Sequence, residues 1–93
     1  IDFRVNNHLF GEEIQVTRPE VQIRGQVIAQ HDLKWLQVVK DNQIWYEYGG
    51  EGYISRFSVT DTDLTPGLHW YYLRVIFEDN EMAWTSPTWV EVV

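Results

Sequence analysis

Three histidines, His8, His31 and His69, are the side chains of this 93-residue chain best suited to proton transfer or metal ligation. A metal site read from sequence needs a His-x-x-x-His or Glu-x-x-His spacing that brings two ligands onto one ion. Here each histidine falls in a different segment, so all three are read as solvated turn residues. Asp61 and Asp63, with Glu51 as a remote third, are the best oxygen cluster for a hard cation such as calcium. The commoner use of Asp-x-Asp ahead of a strand is a polar turn that accepts backbone N–H bonds, and that is the expectation here. Ser55, Ser58 and Ser86 lack the Gly-x-Ser-x-Gly setting that presents a nucleophile. Glu12 and Glu13 say little on their own in a chain with 14 acidic residues. Gly49, Gly50 and Gly52 resemble a phosphate-binding loop only in composition, because no helix follows to receive the anion at its N-terminus. A hairpin hinge is expected there. No catalytic residue, cofactor-binding residue or metal ligand is assigned.

Aromatic rings are the remaining chemistry, with five Trp, five Tyr and four Phe. Sugar-binding sandwiches use planar rings beside polar groups, and Trp45, Tyr46, Tyr48, Tyr53, Trp70, Tyr72 and Arg74 can supply such a platform. The same rings can instead cover the outer face of a sheet and pack on a neighbouring domain, since an exposed apolar face marks an interface. Docking is the leading reading and carbohydrate the alternative. Each buried ring also removes roughly 150–250 Å² from water, which lets a small domain without cysteine form a core. Absence of cysteine excludes thiol chemistry, iron–sulfur ligation and Cys-based zinc sites, and leaves the redox compartment and localisation open. A net charge of −7 with seven scattered basic residues argues against a sequence-independent grip on nucleic acid. No apolar run approaches the roughly 20 residues that span a bilayer, so no membrane insertion is expected. The chain begins at Ile1 rather than Met, and is expected to be a segment of a longer protein.

The elements that must position these rings follow from alternation. Leu64–Glu78 is the strongest strand: Tyr71, Leu73, Val75 and Phe77 form a wholly apolar set, against Trp70, Tyr72, Arg74, Ile76 and Glu78. Ile1–Val5 alternates likewise, and Ile14–Thr17 resumes pairing before Arg18-Pro19 stops it. Val21–Gln30 places Val21, Ile23, Gly25, Val27 and Ala29 on one face, with Gly25 marking a bulge or a close neighbouring side chain. Leu33–Lys40 and Ile44–Tyr48 flank Asp41-Asn42, a pair suited to a two-residue hairpin turn. A regular hairpin groups Trp35, Gln37, Val39, Ile44, Tyr46 and Tyr48 as the more apolar face. A longer loop would instead turn Leu36 and Val38 inward. Tyr53, Phe57 and Val59 are expected on the inner side of the next strand, and Glu78–Glu81 forms a polar turn. Pro87 splits the final run into Met82–Ser86 and Thr88–Val93.

About seven short strands, with turns every 8 to 12 residues or so, predict an all-β, immunoglobulin/fibronectin III-like antiparallel β-sandwich. Leu64-Thr65-Pro66-Gly67 resembles the fibronectin-type tyrosine corner, whose Tyr hydroxyl bonds back to the corner. The usual offset lands on Trp70, and Tyr71 serves only if the turn carries one extra residue.

Residues 67–90, GLHWYYLRVIFEDNEMAWTSPTWV, resemble the carboxy-terminal segment of bacterial proteins with a PHP-type metal-dependent phosphoesterase-like domain. Tyr71, Tyr72, Arg74, Val75, Asp79, Ala83, Trp84, Ser86, Pro87, Trp89 and Val90 match that pattern, whereas Thr85 and Thr88 depart from it. LQVVKDNQIWYE resembles the family's hairpin and favours the phase with Leu36 and Val38 inward. The resemblance implies an immunoglobulin-like accessory domain after a hydrolase whose His and Asp ligands are absent from these residues. It also implies a neighbouring domain of the same polypeptide as partner, met by Trp70, Tyr72 and the Trp84–Trp89 segment. A cell-surface adhesion repeat is a further reading.

Overall fold

The computed structural model describes residues 1–93, all in strands, turns and loops. The strands are β1 (Asp2–Val5), β2 (His8–Leu9), β3 (Glu13–Val16), β4 (Val21–Ile28) and β5 (Leu33–Lys40), followed by β6 (Gln43–Gly49), β7 (Ile54–Asp61), β8 (Gly67–Phe77), β9 (Met82–Trp84) and β10 (Thr88–Val92). They build two facing sheets, β2-β1-β4-β7 and β3-β10-β8-β5-β6, with β9 paired on β8. This is the immunoglobulin-like β-sandwich that the alternation predicts. Ten segments replace the expected seven or so, partly because β1 and β3 join opposite sheets and Pro87 separates β9 from β10. One pairing departs from the antiparallel expectation: β3 runs parallel to β10.

The core lies between the sheets. Phe3, Val5, Val21, Ile23 and Val27 meet Leu36, Val38, Tyr71, Leu73, Val75 and Val90 in one apolar cluster. Fully burying each such aliphatic side chain contributes roughly 1.5–3 kcal/mol relative to leaving it exposed. Tyr71, Leu73 and Val75 are completely buried and Phe77 partly so, as the period of two in β8 demands. Gly25 faces this core opposite Phe57, whose ring occupies the space a side chain would need; an added Cβ would lie 2.7 Å from Phe57 Cζ. No bulge is present in that pairing, so the close neighbour is the reason for the glycine.

Asp41 and Asn42 adopt positive φ (50° and 69°) in a two-residue turn that pairs Lys40 with Gln43. Yet the grouping of Trp35, Gln37, Val39, Ile44, Tyr46 and Tyr48 on one face fails. The register shifts between Val38 and Val39, leaving Trp45 as an extra residue in β6. That bulge puts Tyr46 opposite Val38 and Tyr48 opposite Leu36, on the inner face, while Ile44 pairs with Val39 on the outer one. A second irregularity at Lys34 sets Leu33 inward ahead of Leu36. Leu36 and Val38 are therefore the core residues of β5, and Trp35 is 37% exposed.

The glycine-rich segment after β6 also departs from expectation. It is not a hairpin hinge, because β6 and β7 belong to different sheets and Gly50–Tyr53 carries the chain across. Tyr53 is corrected as well: at 56% exposure it lies outside the core, and the inner set of β7 is Ser55, Phe57, Val59 and Asp61. Gly25→Ala is expected to cost about 1–3 kcal/mol in urea unfolding. Phe57→Leu in the same chain should recover part of that loss, and an unchanged midpoint in the single variant would refute the close-contact account.

Candidate functional site

Two constellations collect the polar and aromatic groups, one inside the sandwich and one on its outer face. The inner one begins at Asp61, the last residue of β7, which is 1% exposed. Its Oδ2 accepts the Tyr71 hydroxyl at 2.6 Å and lies 2.8 Å from Lys40 Nζ, while Oδ1 accepts the Asp63 amide at 2.9 Å. Tyr71 and Lys40 belong to one sheet and Asp61 to the other, so the carboxylate clamps the two together. Burial raises the Asp61 pKa. The hydrogen bonds from Lys40, Tyr71 and the Asp63 amide, together with the Lys40 charge, outweigh burial and hold it below the ordinary carboxylate value. Tyr71 is pushed up by burial and then by its bond to Asp61, so its hydroxyl remains the donor. The Asp-x-Asp turn thus caps a backbone amide as expected, with its first carboxylate fully engaged. Tyr71 takes the corner role, bonding a side chain ten residues upstream. Gly67, at φ 114°, supplies the left-handed residue that turns Thr65-Pro66 into β8.

His69 is not a solvated turn residue. It extends the inward-facing set of β8, is 8% exposed, and packs its ring between Asp41 and Thr65. Nδ1 lies 2.6 Å from Asp41 Oδ2, and Nε2 lies 2.8 Å from the Thr65 carbonyl and 3.3 Å from its hydroxyl. Asp, His and Thr in that order resemble a nucleophile triad, but both ring nitrogens face acceptor oxygens. Nε2 lies closer to the Thr65 carbonyl than to the Thr65 hydroxyl, so the ring is placed to donate to the backbone at one nitrogen and to Asp41 at the other rather than to take the Thr65 proton. Burial lowers the His69 pKa, whereas the bonds to Asp41 and Thr65 and the Asp41 charge raise it, with a net upward shift. Asp41 Oδ1 also accepts the Trp70 amide at 3.0 Å, and its own amide donates to the Trp70 carbonyl at 3.1 Å. The hairpin turn is thereby tied to β8.

The outer constellation starts at that same Trp70. Trp70 and Trp89 are direct register partners, with ring centroids 5.4 Å apart and planes inclined by 45°. Two residues along, Tyr72 covers Val39, which is 2% exposed although it stands outside the main core cluster. Arg74 lies opposite Trp84, and its Nε donates 2.8 Å to Gln37 Oε1, while Gln37 in turn donates to Glu47. Trp70, Tyr72, Arg74, Trp84 and Trp89 line one groove of about 460 Å³. Met82, Thr85 and Pro87 complete it, and Thr85 Oγ1 accepts the Leu73 amide at 3.1 Å.

Five of the nine aromatic-surface residues expected from sequence therefore converge. Trp45, Tyr46 and Tyr48 do not join them. The β6 bulge turns Trp45 edge-on to Tyr71 and brings Tyr46 and Tyr48 over Phe57, at centroid distances of 6.4, 5.5 and 6.2 Å. They close the open side of the sandwich. Tyr53 stands apart on the crossover, 56% exposed. Thr85 and Pro87 belong to the Trp84–Trp89 segment expected at this face, whereas Met82 was not expected there; the pairing of β9 with β8, which sets Met82 opposite Ile76, is what brings it in.

No protein-family model matches the chain. An uncharacterized protein of Chlamydia pneumoniae is 26% identical over 108 aligned residues, which cover 99% of this chain and 17% of that protein. The chain thus spans under a fifth of the curated relative's length. Among solved structures, a lytic polysaccharide monooxygenase of Jonesia denitrificans superposes with a TM-score of 0.62 at 21% identity, over 88% of this chain and 57% of that one. At that identity the likeness shows the fold alone.

The clamp generates a pH signature. With its pKa raised above the ordinary imidazole value of about 6.5, His69 contributes stability that is fully present below that pH and lost as pH rises through the raised value. Asp61, depressed, contributes stability present above pH 4 or so and lost as pH falls through its lowered value. Urea unfolding should show both limbs, with His69→Gln flattening the alkaline one and Asp61→Asn the acidic one. Tyr71→Phe should cost about 1–3 kcal/mol. In a double-mutant cycle with Asp61→Asn, additive losses would show that the clamp is not a unit.

Proposed function

We propose that this sandwich is a non-catalytic interaction module of a longer polypeptide, and that it docks on a neighbouring domain through the outer face of β8, β9 and β10. One observation carries the reading: three tryptophans, Tyr72, Met82 and Pro87 line a single groove beside Arg74. Trp, Tyr, Met and Arg are the residues that protein interfaces concentrate at their centres. A sugar chain needs hydroxyl partners along its length. Thr85 Oγ1 already accepts the Leu73 amide and Arg74 Nε already bonds Gln37, whereas the three indole N–H groups, the Tyr72 hydroxyl and the terminal nitrogens of Arg74 make no hydrogen bond within the domain and are available to either kind of partner. The 45° inclination of Trp70 to Trp89 departs from a coplanar platform.

The partner we propose is a metal-dependent phosphoesterase-like domain of the same polypeptide, the arrangement that the resemblance of residues 67–90 implies. The chlamydial relative supports a modular reading, since the aligned segment is 17% of its length. Carbohydrate binding is the second reading. It is favoured by the exposed Trp84 and by a fold shared with an enzyme named for polysaccharide.

Trp84 is 64% exposed, so Trp84→Ser should leave the melting temperature of the isolated domain nearly unchanged. Its association in trans with the rest of the parent polypeptide, measured by calorimetry, should weaken about 30-fold, as loss of a central aromatic anchor does. Absence of any such association in the unmodified domain, combined with Trp84-dependent retardation in polysaccharide gels, would replace docking with sugar recognition.

A further inference from the structure

We infer that the opposite face of the sandwich, the outer surface of β1, β4 and β7, binds the phosphate group of a small molecule between Arg24 and Arg56. The inference is independent of the docking face, which belongs to the other sheet. Charge is segregated across this molecule. Arg4, Arg24 and Arg56 supply three of the seven basic residues to one face, where Asp2 is the single acidic neighbour out of 14 acidic residues in the chain. The remainder of the chain is correspondingly more negative than its net charge of −7 suggests.

These arginines are not equivalent. Arg4 is satisfied: Nε and Nη2 donate to the two oxygens of Asp2 at 2.9 and 3.4 Å, and Nη1 donates to the Asn7 carbonyl at 3.2 Å. The ion pairs of the chain engage Arg4, His8, Arg18, Lys40 and His69, and Arg24 and Arg56 take part in none of them. Register sets the two free guanidinium groups diagonally across β4 and β7, because Arg24 pairs with Ser58 and Gln26 pairs with Arg56. Diagonal side chains on one sheet face are about 7–8 Å apart at the backbone, within reach of arginine forks turned toward one ligand. Arg24 stands directly opposite Arg4, whose charge is already met by Asp2. Both free arginines line one hollow of about 480 Å³ together with Ser58.

A phosphate monoester suits this geometry better than a carboxylate. It brings close to two negative charges for two guanidinium groups, and its three terminal oxygens accept two forks and the Ser58 hydroxyl. A long polyanion is disfavoured by repulsion from the acidic remainder of the surface, which favours a small phosphorylated molecule.

The test is an NMR titration of the 93-residue domain with inorganic phosphate, with ionic strength held constant by sodium chloride. Saturable shifts confined to the Arg24 and Arg56 side chains and to the β4 and β7 amides are expected. Arg24→Gln and Arg56→Gln should each weaken binding by about tenfold or more, the loss that one charge-assisted hydrogen bond represents. Lys34→Gln, on the other sheet, should leave it unchanged. Melting curves without phosphate establish that the variants fold, and phosphate should raise the melting temperature of the unmodified domain more than that of either arginine variant. Shifts that do not saturate, that chloride reproduces, or that persist in both arginine variants would overturn the assignment.

Discussion

A buried carboxylate between two sheets is the constraint on which much of this structure turns. Asp61, 1% exposed, ends the strand of one sheet and meets Tyr71 and Lys40 from the other. Removing such a charge from water costs several kcal/mol, and the cost is offset only if its lone pairs are filled with good geometry. Three donors fill them here: a phenol, an ammonium and a backbone amide. Lys40, the last residue of β5, and Tyr71, within β8, are held in place by that requirement. Because Asp41 in the adjoining turn holds both His69 and the Trp70 amide, the same end of the sandwich carries a second polar tie. An apolar sandwich can slide between registers, whereas one pinned by directional charged bonds has a preferred alignment.

Pinned strands dictate what the outer faces present. Once Tyr71 is fixed inward, Trp70, Tyr72 and Arg74 must point outward, and the register of β9 and β10 places Trp84 and Trp89 beside them. The β6 bulge has the opposite consequence for Trp45 and Tyr46, turning two consecutive rings toward the core. One face of the domain becomes an aromatic groove and the other an arginine-bearing sheet, so the sandwich meets its surroundings with two chemically different surfaces. Neither surface disturbs the core, since their residues alternate with buried ones along the same strands.

Much of the architecture was legible in the residues themselves. Alternation in Val21–Ile28 and Tyr71–Phe77, the Asp41-Asn42 turn, the break at Pro87 and the glycine opposite Phe57 are local signals. A strand has a strict period of two, and the turn residues have specific φ preferences. The aromatic composition likewise announced a surface of rings, and five of its nine expected members share one groove.

What the chain alone left undecided depends on contacts between distant segments. Two bulges set which face of Leu33–Lys40 is buried, and a bulge shifts the phase of a strand without altering its composition. His69 does not announce its burial because one of its acceptors, Asp41, is 28 residues away and becomes its neighbour only when β8 joins β5. Asp61 reads as a turn cap because its partnership with Lys40 crosses from one sheet to the other. The diagonal placement of Arg24 and Arg56 across β4 and β7 is also a product of register. Sequence determined the strands and the kinds of side chain they carry, since both follow from local periodicity. Tertiary structure alone decided which of those side chains are partners, because pairing is set by sheet register and by the cost of leaving a buried charge unmet.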